Sequence, residues 1–197
     1  MNLGKAISYF AKTPVSGWNG TTWVPNIAYV KLLTFDRFIS EREFGNKRRH
    51  ILVPVTETAL DTYPVIKFES TGEIYLVGVK ISDIDVDRYS QVYLIHQAKL
   101  FGNVVSFTKT MAASGLASAV TRTAIGSYYC DLERLTFTSS AEFATVKYSQ
   151  VILTFPSDCL VDTDNEVVIN SEYFDVRETY KSSGFNLCRA LKKRSEP

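Results

Sequence analysis

The chain has 197 residues, of which 45% are hydrophobic, a share that is ordinary for a soluble globular protein and sufficient for a packed core. Its 22 lysines and arginines against 21 aspartates and glutamates leave a net charge of +1, so no overall field draws it to nucleic acid or to an anionic membrane. No run reaches the roughly 18 apolar positions of a membrane-spanning helix, and the first residues are not apolar enough for a signal peptide. We therefore expect synthesis in the cytoplasm and no membrane contact.

Helix is expected only in the first quarter of the chain. Residues 3–12 predict a short amphipathic helix, and Asp36 can cap a second one over residues 36–44. Between them, Trp18-Asn19-Gly20-Thr21-Thr22-Trp23 predicts a β-hairpin with a two-residue turn, because Asn19 and Gly20 both tolerate left-handed backbone. We expect Trp18 and Trp23 to pack across this hairpin, which is a candidate arm between subunits.

The rest of the chain predicts β-strands almost throughout. Aromatic and β-branched residues recur in short runs, often with period-two alternation, and turn residues separate the runs. The predicted strands span residues 27–35, 51–55, 65–69, 74–81, 91–98, 104–110, 119–125, 128–138, 143–155, 166–169, 173–179 and 185–191. Many strands at close spacing predict a mainly β protein with one or two small β-barrel or sandwich domains and little helix.

A stretch of small, uncharged residues interrupts the strands near the middle of the chain. It predicts a loop or linker because little in it can anchor a strand, and it is a candidate channel-facing or subunit-contacting loop. Its residues are Met111, Ala112, Ala113, Ser114, Gly115 and Leu116. We therefore expect an N-terminal β domain with a hairpin arm over residues 1–105, a linker over 106–118 and a C-terminal β-barrel domain over 119–197.

The two halves of the chain end alike, which suggests an internal duplication. Residues 65–68 lead through a glycine turn to residues 73–79 and then, after a polar link, to residues 93–98. Residues 167–169 lead through Asn170 and Ser171 to residues 172–176 and then, after a polar link, to residues 185–190. Each set predicts a three-stranded meander that must curl onto further strands to bury its apolar face. Chance similarity between short β patterns is the alternative.

No sequence pattern indicates catalysis. The only histidines are His50 and His96, and neither has a catalytic partner nearby in the sequence. No nucleophile elbow, zinc-protease motif, phosphate-binding loop or dinucleotide fingerprint is present. The alternating acids of residues 83–87 lack the glycine and the distal glutamate of a calcium loop. We expect no enzyme, no catalytic residues and no metal or other cofactor.

Three cysteines lie far apart in the sequence, at Cys130, Cys159 and Cys188. Without a closely spaced pair or a neighbouring histidine they do not form a zinc motif. We expect buried free thiols, because free cysteine is among the most buried residue types, with a single disulfide as the alternative.

Two short basic clusters are candidates for contact with DNA phosphates. One is Lys47, Arg48 and Arg49, and the other lies at residues 192–194. Concentrated positive charge is sufficient for such contacts, which need no base-specific geometry. The alternative is a solvated loop and a frayed C-terminus.

Three segments of the C-terminal half resemble the small β-barrel of the head-completion, or stopper, proteins at the head–tail junction of tailed bacteriophages. They are LTFPSD at residues 153–158, DNEVVINSEYFDVRETY at 164–180 and GFNLCRAL at 184–191. A fainter likeness covers residues 65–98. Proteins of this family are often much shorter, a difference that two fused barrels would explain.

The resemblance implies a structural protein of the virion rather than an enzyme. Stopper proteins form rings, usually of six or twelve copies, that join the portal or its adaptor to the tail, and their loops retain packaged DNA without reading its sequence. We therefore expect a homo-oligomeric ring in the neck of a phage particle, in contact with portal or adaptor and tail proteins. A tail-terminator or tail-tube subunit would also form a ring and is an alternative. A monomeric β-sandwich module that binds carbohydrate or protein is the remaining alternative, and its solution mass would distinguish it.

Overall fold

The computed structural model describes residues 13–33, 47–81, 90–111, 118–135 and 150–193. The protein is mainly β, as the sequence predicts. The chain divides into two compact units, residues 1–99 with 183–185 and residues 100–182 with 186–197. The two predicted helices at residues 3–12 and 36–44 lie outside the described residues.

Each unit contains a closed barrel of six strands. In the first barrel they are β1 (Thr13–Trp18), β2 (Trp23–Leu33), β3 (Arg48–Pro54), β4 (Val65–Phe68), β5 (Ile74–Ile81) and β6 (Ser90–Gln97), with one short helix, α1 (Ala59–Thr62), between β3 and β4. In the second barrel they are β7 (Leu100–Met111), β8 (Ser118–Leu135), β9 (Gln150–Pro156), β10 (Asn165–Ile169), β11 (Glu172–Ser182) and β12 (Phe185–Lys192).

The two barrels have the same connectivity. The first closes in the order β1-β2-β3-β6-β5-β4 and the second in the order β7-β8-β9-β12-β11-β10. Adding six to each strand number of the first barrel therefore gives the order of the second. The predicted meanders are β4-β5-β6 and β10-β11-β12, which occupy equivalent places. The structural repeat therefore extends over both barrels and includes the strands that carry no recognisable sequence similarity.

The second strand of each barrel also bulges opposite the first. Between the pairs Val15↔Ala28 and Gly17↔Val24, strand β2 has three residues against one on β1. Between Val104↔Gly126 and Val105↔Ala124, strand β8 has one extra residue, Ile125. A bulge bends a strand and increases its twist, as closure of a small barrel requires.

Two predicted divisions of the chain differ from the structure. The separate strands expected at residues 119–125 and 128–138 are, as far as residue 135, parts of the single strand β8, which passes through the bulge without ending; residues 136–138 lie outside the described residues. Residues 106–111 of the expected linker belong to β7, and the two units divide after Lys99. Small side chains weaken the strand signal of a sequence, but the ladder between β7 and β8 continues to the pair Met111↔Ser118 because its hydrogen bonds come from the backbone.

Each barrel has its own apolar core. The larger buried side chains of the first include Val30, Ile51, Ile66, Tyr75 and Ile95. Those of the second include Leu153, Phe155, Val167, Phe174 and Val176. Most alternate along their strands, because successive side chains of a strand point to opposite faces.

The turn between β10 and β11 has the geometry of a type I′ hairpin. Its two residues, Asn170 and Ser171, have φ angles of 49° and 65°, and the flanking pair is Ile169↔Glu172. Left-handed backbone at both central positions matches the twist of the adjoining strands. Asparagine tolerates this conformation well, whereas serine prefers negative φ.

Replacing Ser171 with glycine should therefore stabilise the protein. We expect the free energy of unfolding to rise by about 0.5 kcal/mol, because relief of the left-handed strain exceeds the added flexibility of the unfolded chain. The matched control, Ser106→Gly, places glycine inside strand β7 and should lower it by about 0.5–1 kcal/mol. Denaturant titration of both variants checks the prediction, and equal effects of the two substitutions would contradict it.

Candidate functional site

Strands β7 and β8 extend beyond the second barrel as a two-stranded arm. Strand β7 pairs with β10 only as far as Ser106↔Asn165, whereas its pairing with β8 continues from Phe107↔Arg122 to Met111↔Ser118. These five pairs, which we call the arm, span on the order of 15 Å. Among the described residues, the strands of the arm pair only with each other.

The β8 side of the arm is open to solvent. Thr121 and Arg122, in the arm, and Thr123, Ala124 and Ile125, which follow them on β8, are all exposed, although a strand with one buried face would alternate. Unpaired N–H and C=O groups on such an edge can accept a further strand. The open edge is therefore a surface suited to strand addition.

A groove opens in the second barrel beside Ile125 of β8, with a volume of about 680 Å³. It is lined in part by Ile125, Asp158 and Leu160, and the Leu160 side chain is 69% exposed. Asn186 holds one wall in place by donating hydrogen bonds to the carbonyl oxygens of Ser157 and Cys159, at 3.2 and 2.8 Å. Partial burial raises the pKa of the Asp158 carboxyl. The groove thus adds exposed apolar side chains next to the open edge.

A buried carboxylate lies at the base of the arm. Glu166, on the outer face of β10, is fully buried, and its two cationic partners are only partly covered: the side chains of Arg122 and Lys193 are 36% and 31% exposed. Arg122 Nε donates to Glu166 Oε2 at 2.7 Å, and Lys193 Nζ donates to Glu166 Oε1. Each carboxylate oxygen therefore has its own cation.

Each cation also lies over an aromatic ring. The Arg122 guanidinium is 4.5 Å from the centroid of Tyr173, and the Lys193 ammonium is 4.6 Å from the centroid of Phe107. Phe107 and Arg122 are strand partners in the first pair of the arm. Cation–π contacts of this kind add attraction and cover the buried carboxylate.

These contacts determine the charge of Glu166. Burial raises the pKa of its carboxyl, but the hydrogen bonds and charges of Lys193 and Arg122 outweigh burial, so the pKa lies below its usual value. Glu166 is therefore ionised at neutral pH. Its partners lie 44 and 27 positions away in the sequence, so no local signal could reveal the cluster.

The predicted tryptophan hairpin is present, but its turn differs from the prediction. Trp18 and Trp23 are strand partners with ring centroids 5.3 Å apart, which confirms that they pack across the hairpin. Four residues separate them, and among these Gly20 has positive φ whereas Asn19 does not. The Asn19 side chain instead accepts hydrogen bonds from the backbone N–H groups of Thr21 and Thr22, at 3.0 and 2.8 Å. Asparagine can organise a turn in this second way, which the dipeptide pattern did not distinguish.

The basic cluster at Lys47, Arg48 and Arg49 does not form a continuous loop. Strand β3 begins at Arg48, so neighbouring side chains point to opposite faces; Arg49 is exposed, whereas Lys47 and Arg48 are half-buried. In the C-terminal cluster, Lys192 binds Glu172 at 2.5 Å and Lys193 binds Glu166, so these two lysines are not part of a frayed terminus. Residue 194 lies outside the described residues.

The small-residue stretch predicted as a loop follows the last pair of the arm. Met111 is the final residue of β7. Ala112, Ala113, Ser114, Gly115 and Leu116 lie outside the described residues, as do residues 83–87. Met111 and Ser118 are strand partners, so the stretch connects the two strands of the arm.

The two histidines come closer together than their sequence positions indicate. His50 pairs with Leu94 and Arg48 pairs with His96, so the histidines are diagonal neighbours on one face of the β3–β6 pair. Both are buried, and burial lowers the pKa of His50. His96 is the more deeply buried of the two, at 2% exposed.

All three cysteines are buried free thiols, as predicted, and belong to the core of the second barrel. Burial raises the pKa of Cys130 and of Cys188 to about 12, and it raises that of Cys159 as well. The thiolate is the reactive form of cysteine. The three side chains are therefore protected from reaction while the barrel is closed.

Comparison with known proteins adds no assignment: no model of a protein family matches the chain, and no curated protein matches it. Within the described ranges, no group of three metal-ligating side chains comes together. Nor is any helix in that part of the chain long and apolar enough to cross a membrane. The arm, with its open edge and charged base, is the feature that calls for a functional explanation.

The thiols provide a test of the second barrel. At pH 8, we expect a thiol-specific disulfide reagent to react at least about a hundredfold more slowly with the native protein than with the unfolded protein. In the unfolded protein all three cysteines should react. A substitution that opens the core, such as Phe155→Ala, should increase the rate at which the native cysteines react. Immediate reaction of any cysteine in the native protein would contradict the buried arrangement.

The charged cluster predicts a specific dependence of stability on pH. Since the pKa of Glu166 is lowered on folding, its contribution is complete above the unfolded value of about 4.3 and is lost as the pH falls through the folded value. At neutral pH, Glu166→Gln should cost about 1–3 kcal/mol, because its partners are partly solvated. The stability difference from wild type should shrink between about pH 5 and pH 3.

Denaturant titrations across this pH range measure the effect. The control, Val167→Ala, removes apolar contacts next to Glu166 and should cost about 2 kcal/mol at every pH. A deficit of Glu166→Gln that stays constant with pH would show that the carboxylate charge contributes nothing.

Proposed function

We propose that this chain is a structural subunit of the neck of a tailed phage, a head–tail connector or stopper that assembles into a ring. The arm of the second barrel carries this proposal. Closed barrels leave no strand edge exposed, so they cannot associate by strand addition. In the described part of the chain, the arm has an open edge, and exposed apolar side chains line a groove beside the same strand, β8.

The partner of this edge is a second copy of the same chain. A head-to-tail contact repeated around an axis closes into a ring, and in the ring every arm is paired. Backbone hydrogen bonds would supply affinity, and the exposed Ile125 and Leu160 would supply apolar contact area. The same open edge on a monomer would be prone to aggregation.

The placement in a phage neck is supported by the resemblance of residues 153–191 to stopper proteins. The matching segments contain most of β9 to β12, so they form a continuous part of the second barrel. In a neck ring, the small residues 111–118 at the end of the arm would contact DNA or a neighbouring subunit. The packaged DNA needs only weak, sequence-independent contacts there.

The tryptophan hairpin gives less support to a carbohydrate-binding module. The Trp18 and Trp23 rings are half-buried and pack on each other, and the Lys67 ammonium lies 4.8 Å from the Trp23 centroid. A saccharide platform requires an aromatic face that is open to the ligand. A tail-terminator or tail-tube subunit would use the same arm and differ only in its layer of the particle.

Charges on the open edge of β8 should prevent assembly. In the variant Thr121→Lys/Thr123→Lys, two exposed positions of the open edge become lysines, which oppose strand addition. At a concentration where the wild type forms rings, we expect this variant to be monomeric by light scattering coupled to gel filtration. The control Thr62→Lys/Thr163→Lys places the same charges at exposed positions outside the arm and should leave the mass unchanged.

Location in the particle tests the assignment to the neck. Gold-labelled antibodies against the chain should mark the head–tail junction in electron micrographs of the phage that encodes it. Labelling along the tail or at its end would favour the tube or terminator role. A wild-type monomer that binds saccharides would refute the ring altogether.

A further inference from the structure

We propose that the C-terminal residues Lys192 and Lys193 form a strap that fixes the direction of the arm through the buried carboxylate of Glu166. This inference goes beyond the ring, because it concerns the conformation of a single chain. The three charged side chains come from three parts of the second barrel: Arg122 from the arm, Glu166 from β10, and Lys193 from the residue after β12.

The cluster holds both strands of the arm. Arg122 lies on the β8 strand and binds Oε2 of Glu166 directly. Lys193 binds Oε1 and places its ammonium against Phe107, which lies on the β7 strand. Since Phe107 and Arg122 are partners in the first pair, the base of the arm is held from both sides.

The strap itself is anchored to the barrel. The backbone N–H of Lys193 donates to the carbonyl oxygen of Tyr173 at 2.8 Å, and Lys192 Nζ binds Glu172 Oε1 at 2.5 Å. These contacts place Lys193 next to β11, from which its side chain reaches Glu166. Tyr173 takes part twice, because its ring also contacts the Arg122 guanidinium.

The strap matters because the described arm has no neighbouring strand to set its angle. A two-stranded ribbon is only marginally stable alone and twists strongly. Contacts at its base therefore decide where it points. Removing Lys193 would leave a buried carboxylate with a single cation and uncover the Phe107 ring. We infer that the C-terminal segment and the arm are coupled, so that a partner that displaces the segment would release the arm.

Hydrogen exchange of the arm amides, followed by mass spectrometry or NMR, tests the strap. The decisive variant is Lys193→Met, which removes the charge from a partly exposed position, keeps an apolar contact for Phe107 and lies outside the arm. We expect amides of residues 107–110 and 119–122 to exchange at least tenfold faster, which corresponds to about 1.4 kcal/mol. Glu166→Gln should have the same effect, and Lys193→Arg should retain most of the protection.

Two matched controls separate the strap from a general loss of charge. Glu178→Gln removes a carboxylate from the exposed Arg189–Glu178 pair, and Lys181→Met removes an exposed lysine of β11. Neither should change exchange in the arm. Exchange in the β8–β9 ladder, at residues 131–134 and 151–154, should stay the same in all variants and show that the barrel is intact.

Two results would overturn the strap: wild-type arm amides that exchange without protection, or a folded Lys193→Met protein whose arm exchanges like the wild type. Should Glu166→Gln fail to fold, Lys193→Met decides alone. Mass measured on the same samples keeps this test separate from that of the ring. A wild-type monomer whose arm depends on Lys193 would support the strap and refute the ring.

Discussion

The closure of each sheet on itself is the constraint on which the structure depends. The outer strands of an open sheet leave N–H and C=O groups that can pair with another chain, and a small sheet pairs all of them within itself only when its last strand pairs with its first. Here the pairs β1–β4 and β7–β10 complete the two barrels. Closure also encloses the apolar faces, so that residues such as Val15 and Val167 are fully buried. The arm is the exception, because β7 and β8 continue after β10 has ended.

The shared topology explains how one chain carries two such barrels. Each barrel consists of two three-stranded meanders, and the last strand of the second meander lies next to the last strand of the first. In both barrels the second strand contains a bulge. The two barrels differ mainly in how far their first two strands extend beyond the closed sheet. In the first barrel, β1 ends at the tryptophan hairpin, whereas in the second the equivalent strands continue into the arm.

Strands that alternate or carry β-branched runs could be predicted from the sequence. Strand β5 has the predicted bounds at residues 74–81, and β4, β6, β10 and β12 differ from the prediction by one or two residues at their ends. Alternation does not specify which distant strands pair, so it could not show that β8 is a single strand or that β7 begins the second barrel. The charged cluster at the base of the arm could not be predicted from the sequence for the same reason. Arg122, Glu166 and Lys193 are unremarkable in isolation, and only closure of the barrel brings them together.

The charged cluster also explains why the base of the arm is not simply apolar. Apolar contacts are roughly proportional to buried area and have little directional preference, so they would allow the arm several angles. Replacing a buried ion pair by well-packed apolar residues is often neutral or stabilising, which means that stability alone does not require charges here. A carboxylate with one cation on each oxygen has a defined geometry, and removal of either cation takes the charged hydrogen-bond donor from one buried oxygen. The cluster therefore favours one direction of the arm, and the groups that set this direction come from the barrel, the arm and the C-terminal segment together.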